Sequence, residues 1–509
     1  MKILKLLFSK IFVSALALLV QVAIVLAVVS FFEQYLFAFQ VASAVFGFIV
    51  FLDLVGKKDS AEFKLPWLLL LLIAPIFGTT IYCLFGRSRM AYRDYKHMAE
   101  TVCLCKKHFE LSLDEHGEMR AFLGDKAGIE AYLRSTSFTR GYLNNKVEYF
   151  KSGEFFFEDL KKELEGAERF IFMEYFIIDY GRMWDEIHGI LKKKAAAGVE
   201  VRVMYDDIGC AGLLKSNYHK KLRKEGIKCF KFNPFRPIVS GVHNNRDHRK
   251  ITVIDGKVGY TGGLNIADEY INAKSRFGHW KDSAIKIRGS AVGNLTALFL
   301  QLYDTASKTF SDYDRYLGID YEEFEDGGYV HPFGDGPKPF YVELVGSNNF
   351  INIINSAHKY VHISTPYLIP DQNLLSALRG AALRGVDVRI VTPHIPDKKI
   401  IFNMTRSHYK TLLDAGVKIY EYTPGFVHAK EMVADGELAF VGTINLDYRS
   451  LVHHYECGAV LYKTPCIGDI EEEFKSTFEV SCEVTLKNFK MKFFPALINA
   501  VLNLFSPML

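Results

Sequence analysis

The stretch His248-Arg-Lys-Ile-Thr-Val-Ile-Asp-Gly256 and its echo, His428-Ala-Lys-Glu-Met-Val-Ala-Asp-Gly436, decide the fold. Each carries His and Lys two residues apart, then an apolar β-type run, then Asp-Gly, a turn signal. The correspondence runs further. His248, Lys250, Asp255, Gly262 and Asn265 recur at one constant offset as His428, Lys430, Asp435, Gly442 and Asn445. One His-x-Lys pair is weak evidence; five matched positions are strong.

The repeat also extends upstream. Residues 167–179 and 195–203 match residues 357–371 and 381–390. Each reads as strand, loop, helix, glycine turn and strand, with Gly198 and Gly385 at the expected helix C-cap. Short apolar runs alternating with helical patterns predict an α/β fold of two similar lobes, each a mainly parallel sheet flanked by helices.

Residues two apart on a strand point to one face. Each copy therefore offers an imidazole beside an ammonium, which is half of a site. Two copies facing one pocket suit transfer at a phosphodiester. One histidine attacks phosphorus, the other exchanges protons with departing and entering alcohols, and lysines with Asn265 and Asn445 carry phosphoryl charge. No metal or cofactor is called for. Asp255 and Asp435 complete the motif at a turn, where a structural role is expected. A nucleophilic imidazole needs an acceptor on its other nitrogen. Asp282 and Glu456, each at the start of an apparent strand after its motif, are the candidates. His453 and His454 are adjacent and would face opposite ways on a strand, so neither enters the set.

The N-terminal region differs. Apolar runs Ile11–Phe32, Leu36–Val55 and Pro66–Phe85 have membrane-span length, and the first is too long for a signal peptide. Two to three transmembrane helices are expected, the third run being either a span or a re-entrant or interfacial segment. Positive residues before the first run (Lys2, Lys5, Lys10), after the second (Lys57, Lys58, Lys64) and after the third (Arg87, Arg89, Arg93, Lys96) cannot all lie on one side of three spans. A cytoplasmic catalytic region is the working expectation. Lys487, Lys490 and Lys492 precede an apolar tail, which reads as an interfacial or docked helix. The expected divisions are 1–88 membrane region, 89–138 connector, 139–325 first lobe, 326–340 linker, 341–485 second lobe and 486–509 interfacial segment. The formal charge of +4 and the lack of a basic stripe argue against a nucleic-acid partner. The eight cysteines form no Cys-x-x-Cys pair.

The duplicated motif resembles the phospholipase D superfamily, and the wider match resembles bacterial cardiolipin synthases. Residues 245–270, Ser364-Thr-Pro-Tyr-Leu-Ile-Pro-Asp371 and Gly442-Thr-Ile-Asn-Leu-Asp-Tyr-Arg-Ser450 carry the likeness, as do 52–60, 65–68 and 82–87 near the N-terminus. The resemblance implies union of two phosphatidylglycerols into cardiolipin with release of glycerol, through a phosphohistidine. It implies His248 as nucleophile and His428 as acid–base group, although the two half-sites are too alike for the spacing to choose. Many family members carry Asn where this chain has His454, which bears on the acceptor lipid.

Overall fold

The computed structural model describes residues 10–31, 35–57, 60–86, 92–234, 244–325, 327–489 and 493–508. Two compact units emerge, one of residues 1–90, 235–245 and 497–509, the other of 91–234 and 246–496.

In the first unit, helices span Lys10–Phe31 and Leu36–Gly56. Among the described residues one helix, Phe37–Gly56, is long and apolar enough to cross a membrane. The third run is two short helices, Ala61–Ile73 and Pro75–Phe85, broken at Ala74. Pro75 has no N–H to continue the first helix and starts the second at its favoured N-terminal position. Gly78 allows the turn, since a Cβ there would lie 2.5 Å from the Leu70 carbonyl oxygen. Tyr82 donates to Asp53 Oδ2 at 2.8 Å and meets Trp67 edge-to-face at 5.3 Å. At the C-terminus, Met508 packs on the cluster of Val50, Leu54, Trp67 and Leu71, while Leu497, Ile498 and Val501 stay exposed. Of the basic residues noted in sequence, Lys2, Lys5, Lys58, Arg87, Arg89, Lys490 and Lys492 lie outside the described residues.

The second unit holds both lobes. A short strand, β1 (Tyr142–Leu143), comes first. The first lobe then supplies β2 (Lys146–Phe150), β3 (Phe170–Tyr175), β4 (Glu200–Asp206), β5 (Lys228–Phe232), β6 (Lys250–Ile254), β7 (Val258–Gly262), β8 (His279–Lys281) and β9 (Ala284–Arg288). The second supplies β10 (Tyr329–Asp335), β11 (Tyr360–Ser364), β12 (Asp387–Pro393), β13 (Lys418–Tyr422), β14 (Gly425–Val427), β15 (Glu431–Ala434), β16 (Leu438–Gly442), β17 (Glu456–Tyr462) and β18 (Ser481–Val484).

The first sheet runs β2-β9-β7-β6-β3-β4-β5 and the second β1-β10-β17-β16-β15-β11-β12-β13-β18. Parallel pairing is confined to β3-β4-β5 in one and β11-β12-β13 in the other. The expectation of mainly parallel sheets is thus corrected. The helical crossovers made three strands of each sheet parallel, but the motif strands enter through Asp-Gly hairpins, β6-β7 and β15-β16, which are antiparallel. The glycine C-caps hold, with φ of 92° at Gly198 and 93° at Gly385.

The stretch 326–340, expected as a linker, carries β10, wholly buried and paired with β17. Its glycines and prolines suggested turns, but packing against the helix Val292–Ser307 overrides that local preference. That helix is buried from Val292 through Thr305, as expected for one enclosed on all sides. β1, from the first lobe's side of the chain, extends the second sheet. The two lobes share one core.

Candidate active site

Two short pairings across the lobes build the site. Ahead of β6, Asp247 bridges Tyr455, and the His248 N–H donates to the Tyr455 carbonyl at 2.9 Å. Ahead of β15, β14 runs parallel to β8, and the His428 N–H donates to the Lys281 carbonyl at 2.7 Å. The same local arrangement thus occurs twice. Each histidine leaves its own lobe alongside the backbone that leads into the other lobe's carboxylate.

The consequence is a crossed pair of contacts. His248 Nδ1 lies 2.9 Å from both oxygens of Glu456, and His428 Nδ1 lies 2.6 Å from Asp282 Oδ2. A proton on Nδ1, donated to the carboxylate, leaves the lone pair on Nε2. Both histidines and both acids are buried. Burial pushes His248 far below the ordinary histidine range, with Lys250 and His454 adding, and lowers His428 to about 4. Burial thus disfavours the charged form of both imidazoles in the empty site.

Lys250 and Lys430 are also buried, and each ammonium donates to the carbonyl of the histidine two residues earlier, Lys250 at 2.6 Å. Burial lowers Lys250 to about 8 and Lys430 to about 7, against the opposing pull of Glu456 and Asp282. Aromatic rings wall the histidines. Phe176 lies edge-on to His248 at 5.0 Å, and Tyr270 and Trp280 each stand 5.4 Å from His428. Two imidazoles with anchored Nδ1 atoms, flanked by two buried lysines, suit an anionic phosphodiester.

The matches to known proteins agree. The family model described as "Cardiolipin synthase, PLD-like domain" matches residues 160–277 and 350–478, and "Phospholipase_D-nuclease N-terminal" matches 45–87. Cardiolipin synthase 2 of Bacillus anthracis is 36% identical over 92% of this chain and 91% of its own. This chain belongs to the cardiolipin synthase family. A cardiolipin synthase of Alkalihalophilus pseudofirmus is 35% identical over 87% of this chain and 88% of its own. An uncharacterized protein of Streptococcus mutans is 45% identical over 90% and 99%. Among solved structures, phosphatidylserine synthase of Haemophilus influenzae superposes with a TM-score of 0.56 at 13% identity, covering 76% of this chain and all of that one. That likeness shows the fold alone.

Within this cardiolipin synthase-type site, His248, Lys250, His428, Lys430, Asp282 and Glu456 come together. Asp255 and Asp435, grouped with the catalytic residues in the motif, do not. Asp255 accepts the backbone N–H groups of Glu168, Arg169 and Phe170 at 2.7–2.8 Å. Asp435 accepts those of His358, Lys359 and Tyr360 at 2.6–2.9 Å. Both hold φ near +55° and tie the start of a parallel strand, β3 or β11, to the far end of the motif strand. Asn265 is partly committed, accepting from the Ile177 N–H at 3.0 Å and donating to Tyr270 at 2.7 Å. Its twin Asn445 is 5% exposed, with Oδ1 unpartnered.

Two residues were missed. Thr443 donates to Glu456 Oε2 and helps hold it. His454, set aside in sequence, lies 5.4 Å from His248 between ring centroids. The five-residue turn Arg449–His453 breaks the strand alternation on which its exclusion rested. Among the described residues, His248, His454 and Glu456 place donor atoms within 4.8 Å of one another. Lys250 acts on all three, and its positive charge opposes a cation there.

Proposed function

We propose that the chain transfers a phosphatidyl group between two phosphatidylglycerol molecules, giving cardiolipin and glycerol. The crossed His248–Glu456 and His428–Asp282 pairs carry this reading. One Nε2 attacks phosphorus, forming a P–N bond as the bond to the headgroup oxygen breaks. The other imidazole, which takes up a proton on Nε2 as the anionic diester binds beside it, gives that proton to the oxygen, and glycerol leaves. A hydroxyl of the second lipid then loses its proton to the same imidazole and attacks phosphorus, and the P–N bond breaks. Lys250, Lys430, Asn265 and Asn445 hold the non-bridging oxygens. The walls of Phe176, Tyr270 and Trp280 support exclusion of water, which favours transfer over hydrolysis.

In this reading the protein is a multi-pass membrane enzyme with its catalytic unit on the cytoplasmic side. The apolar helices Lys10–Phe31 and Phe37–Gly56 and the basic residues Lys57, Lys64, Arg93 and Lys96 support that topology. The test is an assay of purified full-length protein in metal-free mixed micelles with labelled phosphatidylglycerol alone. Cardiolipin and glycerol should form in equal amounts, and both should vanish in His248→Ala and His428→Ala. Phosphatidic acid as the main product would make the chain a hydrolase. Turnover only with another phospholipid would displace phosphatidylglycerol as the substrate.

A further inference from the structure

Behind the His248 half-site lies a pair of acids that the His428 half lacks. Glu174 of β3 pairs in register with Ile251, as Ser364 of β11 pairs with Glu431. Asp247 precedes His248, where Val427 precedes His428. Ser364 and Val427 are thus the counterparts of Glu174 and Asp247. Along the motif strand and its lead-in, Asp247, Arg249 and Ile251 alternate with His248 and Lys250. Glu174, opposite Ile251, therefore shares a face with Asp247 and Arg249, away from the histidine.

Both acids are fully buried, and their carboxyls meet. Asp247 is tied at its other points. Its N–H donates to Asp206 Oδ2 at 3.0 Å, its Oδ1 accepts the Arg249 N–H at 3.1 Å, and its backbone bridges Tyr455. Its Oδ2 and both oxygens of Glu174 have no donor. The nearby cations are engaged elsewhere. Arg249 directs its side-chain hydrogen bonds to the Glu456 and Leu298 carbonyls, Gln301 and Tyr341, and Arg246 directs its Nε to Asp206. Two buried anions in contact would be costly, and a single proton turns the mismatch into a hydrogen bond. Burial, then Asp247, raises Glu174 well above the ordinary carboxyl range, and burial lifts Asp247 to about 6.

We propose that Glu174 is kept as a neutral acid donating to Asp247 Oδ2, and that this proton-sharing pair positions His248. One negative charge then faces the Arg249 guanidinium, where two would leave an excess buried anion. The fixed carboxylate of Asp247 holds the Arg249 N–H on one side of His248, and the Asp247 backbone meets Tyr455 on the other. Between these ties the His248 N–H donates to the Tyr455 carbonyl, next in sequence to Glu456. Imidazole and acid are set against each other by a lead-in that Glu174 locks. The His428 half is held differently. There β14 runs beside β8 over three residue pairs, whereas His248 is preceded by the single Asp247–Tyr455 bridge. The acid pair supplies the rigidity that a longer strand pairing gives the other half. Glu174 acts through His248 and is a positioning residue.

Infrared difference spectra of the full-length protein in micelles at neutral pH test it, together with turnover of labelled phosphatidylglycerol. Against wild type, Glu174→Gln and Asp247→Asn should each lose the carbonyl stretch of one protonated carboxyl. Either amide replaces the shared proton with an N–H donor and keeps one negative charge, so both variants should hold kcat and Tm close to wild type. Glu174→Met offers no donor and should lower kcat by about 10–100-fold with little change in KM, the size expected from a misplaced reacting group. Loss of ionised-carboxylate bands instead, in both amide variants, would show two anions and overturn the shared proton. A fall in kcat as large in Glu174→Gln as in Glu174→Met, or none in Glu174→Met, would overturn the positioning role. Should Glu174→Met not fold, the spectrum and kcat of Glu174→Gln still decide. Only the kcat arm rests on the phosphatidyl-transfer reading. A wild-type chain that makes no cardiolipin would sink that reading and leave the infrared result standing.

Discussion

At the scale of single residues, the crossed carboxylates set the tautomers. Glu456→Gln can turn an N–H toward His248 Nδ1, favouring the wrong tautomer, and Asp282→Asn does the same to His428. Each should lower kcat by about 10²–10⁴-fold, the range for general acid–base groups. The crossing has its own signature. With ¹⁵N-labelled histidine, the downfield Nδ1–H resonance of His248 should disappear in Glu456→Gln, and that of His428 in Asp282→Asn. Loss in the opposite pairing would refute the arrangement. The lysines fix the pH response. With Lys430 near 7 and Lys250 near 8, the free enzyme loses phosphate-binding charge as pH rises through that window. kcat/KM measured from about pH 6 to about pH 9.5 should fall along an alkaline limb at about 7–8. The same shifts act on stability with the opposite sign. A lysine lowered in the folded state destabilises the fold while charged, so this cost is relieved as pH rises past the folded value. An alkaline limb confined to the ordinary lysine range would contradict this picture.

Among elements, the two motif aspartates are fasteners. Each gathers three backbone N–H groups, and removal of hydrogen bonds to a charged acceptor costs on the order of 1–3 kcal/mol. Asp255→Ala and Asp435→Ala should lower the Tm measurably, with the activity of the remaining folded protein close to that of wild type. A large fall in kcat at unchanged Tm would return these residues to the catalytic set. Gly263 behaves differently. A Cβ there would sit 2.0 Å from Asp282 Oδ1 and 3.0 Å from the His428 carbonyl oxygen. Gly263→Ala must displace the acid from its histidine, and activity should drop about tenfold or more, beyond the 1–3 kcal/mol of stability typical of overpacking.

For the whole molecule, the decisive fact is that both halves of the site come from one chain and share one core. β10 lies between β1 and β17, and the buried helix Val292–Ser307 packs on strands of both sheets. Mixing purified His248→Ala and His428→Ala proteins should therefore restore no activity, since neither chain lends a histidine to the other. Recovery toward about a quarter of wild-type activity on mixing would mean that lobes are exchanged between chains.

Much of this was written in the amino-acid order. The repeated His-x-Lys pairs, the Asp-Gly turns after them and the glycine C-caps at Gly198 and Gly385 are local signals, set by backbone sterics within a few residues. They made legible the two lobes, the candidate histidines and lysines, and even Asp282 and Glu456 as candidate acids. What they could not convey is which partner lies across a gap of 208 positions for His248 and 146 for His428. That Glu456 serves His248 and Asp282 serves His428 follows from the inter-lobe pairing of Asp247 with Tyr455 and of β14 with β8. Likewise, the alternation rule turned His454 away from the site, and only the turn at Arg449–His453 brought it back. The glycine- and proline-rich segment at β10 looked like a linker because turn propensity is local, whereas its burial is a property of the folded core. Residue chemistry was legible along the chain; pairing, polarity of the sheets and the inequality of the two half-sites required the chain to close on itself.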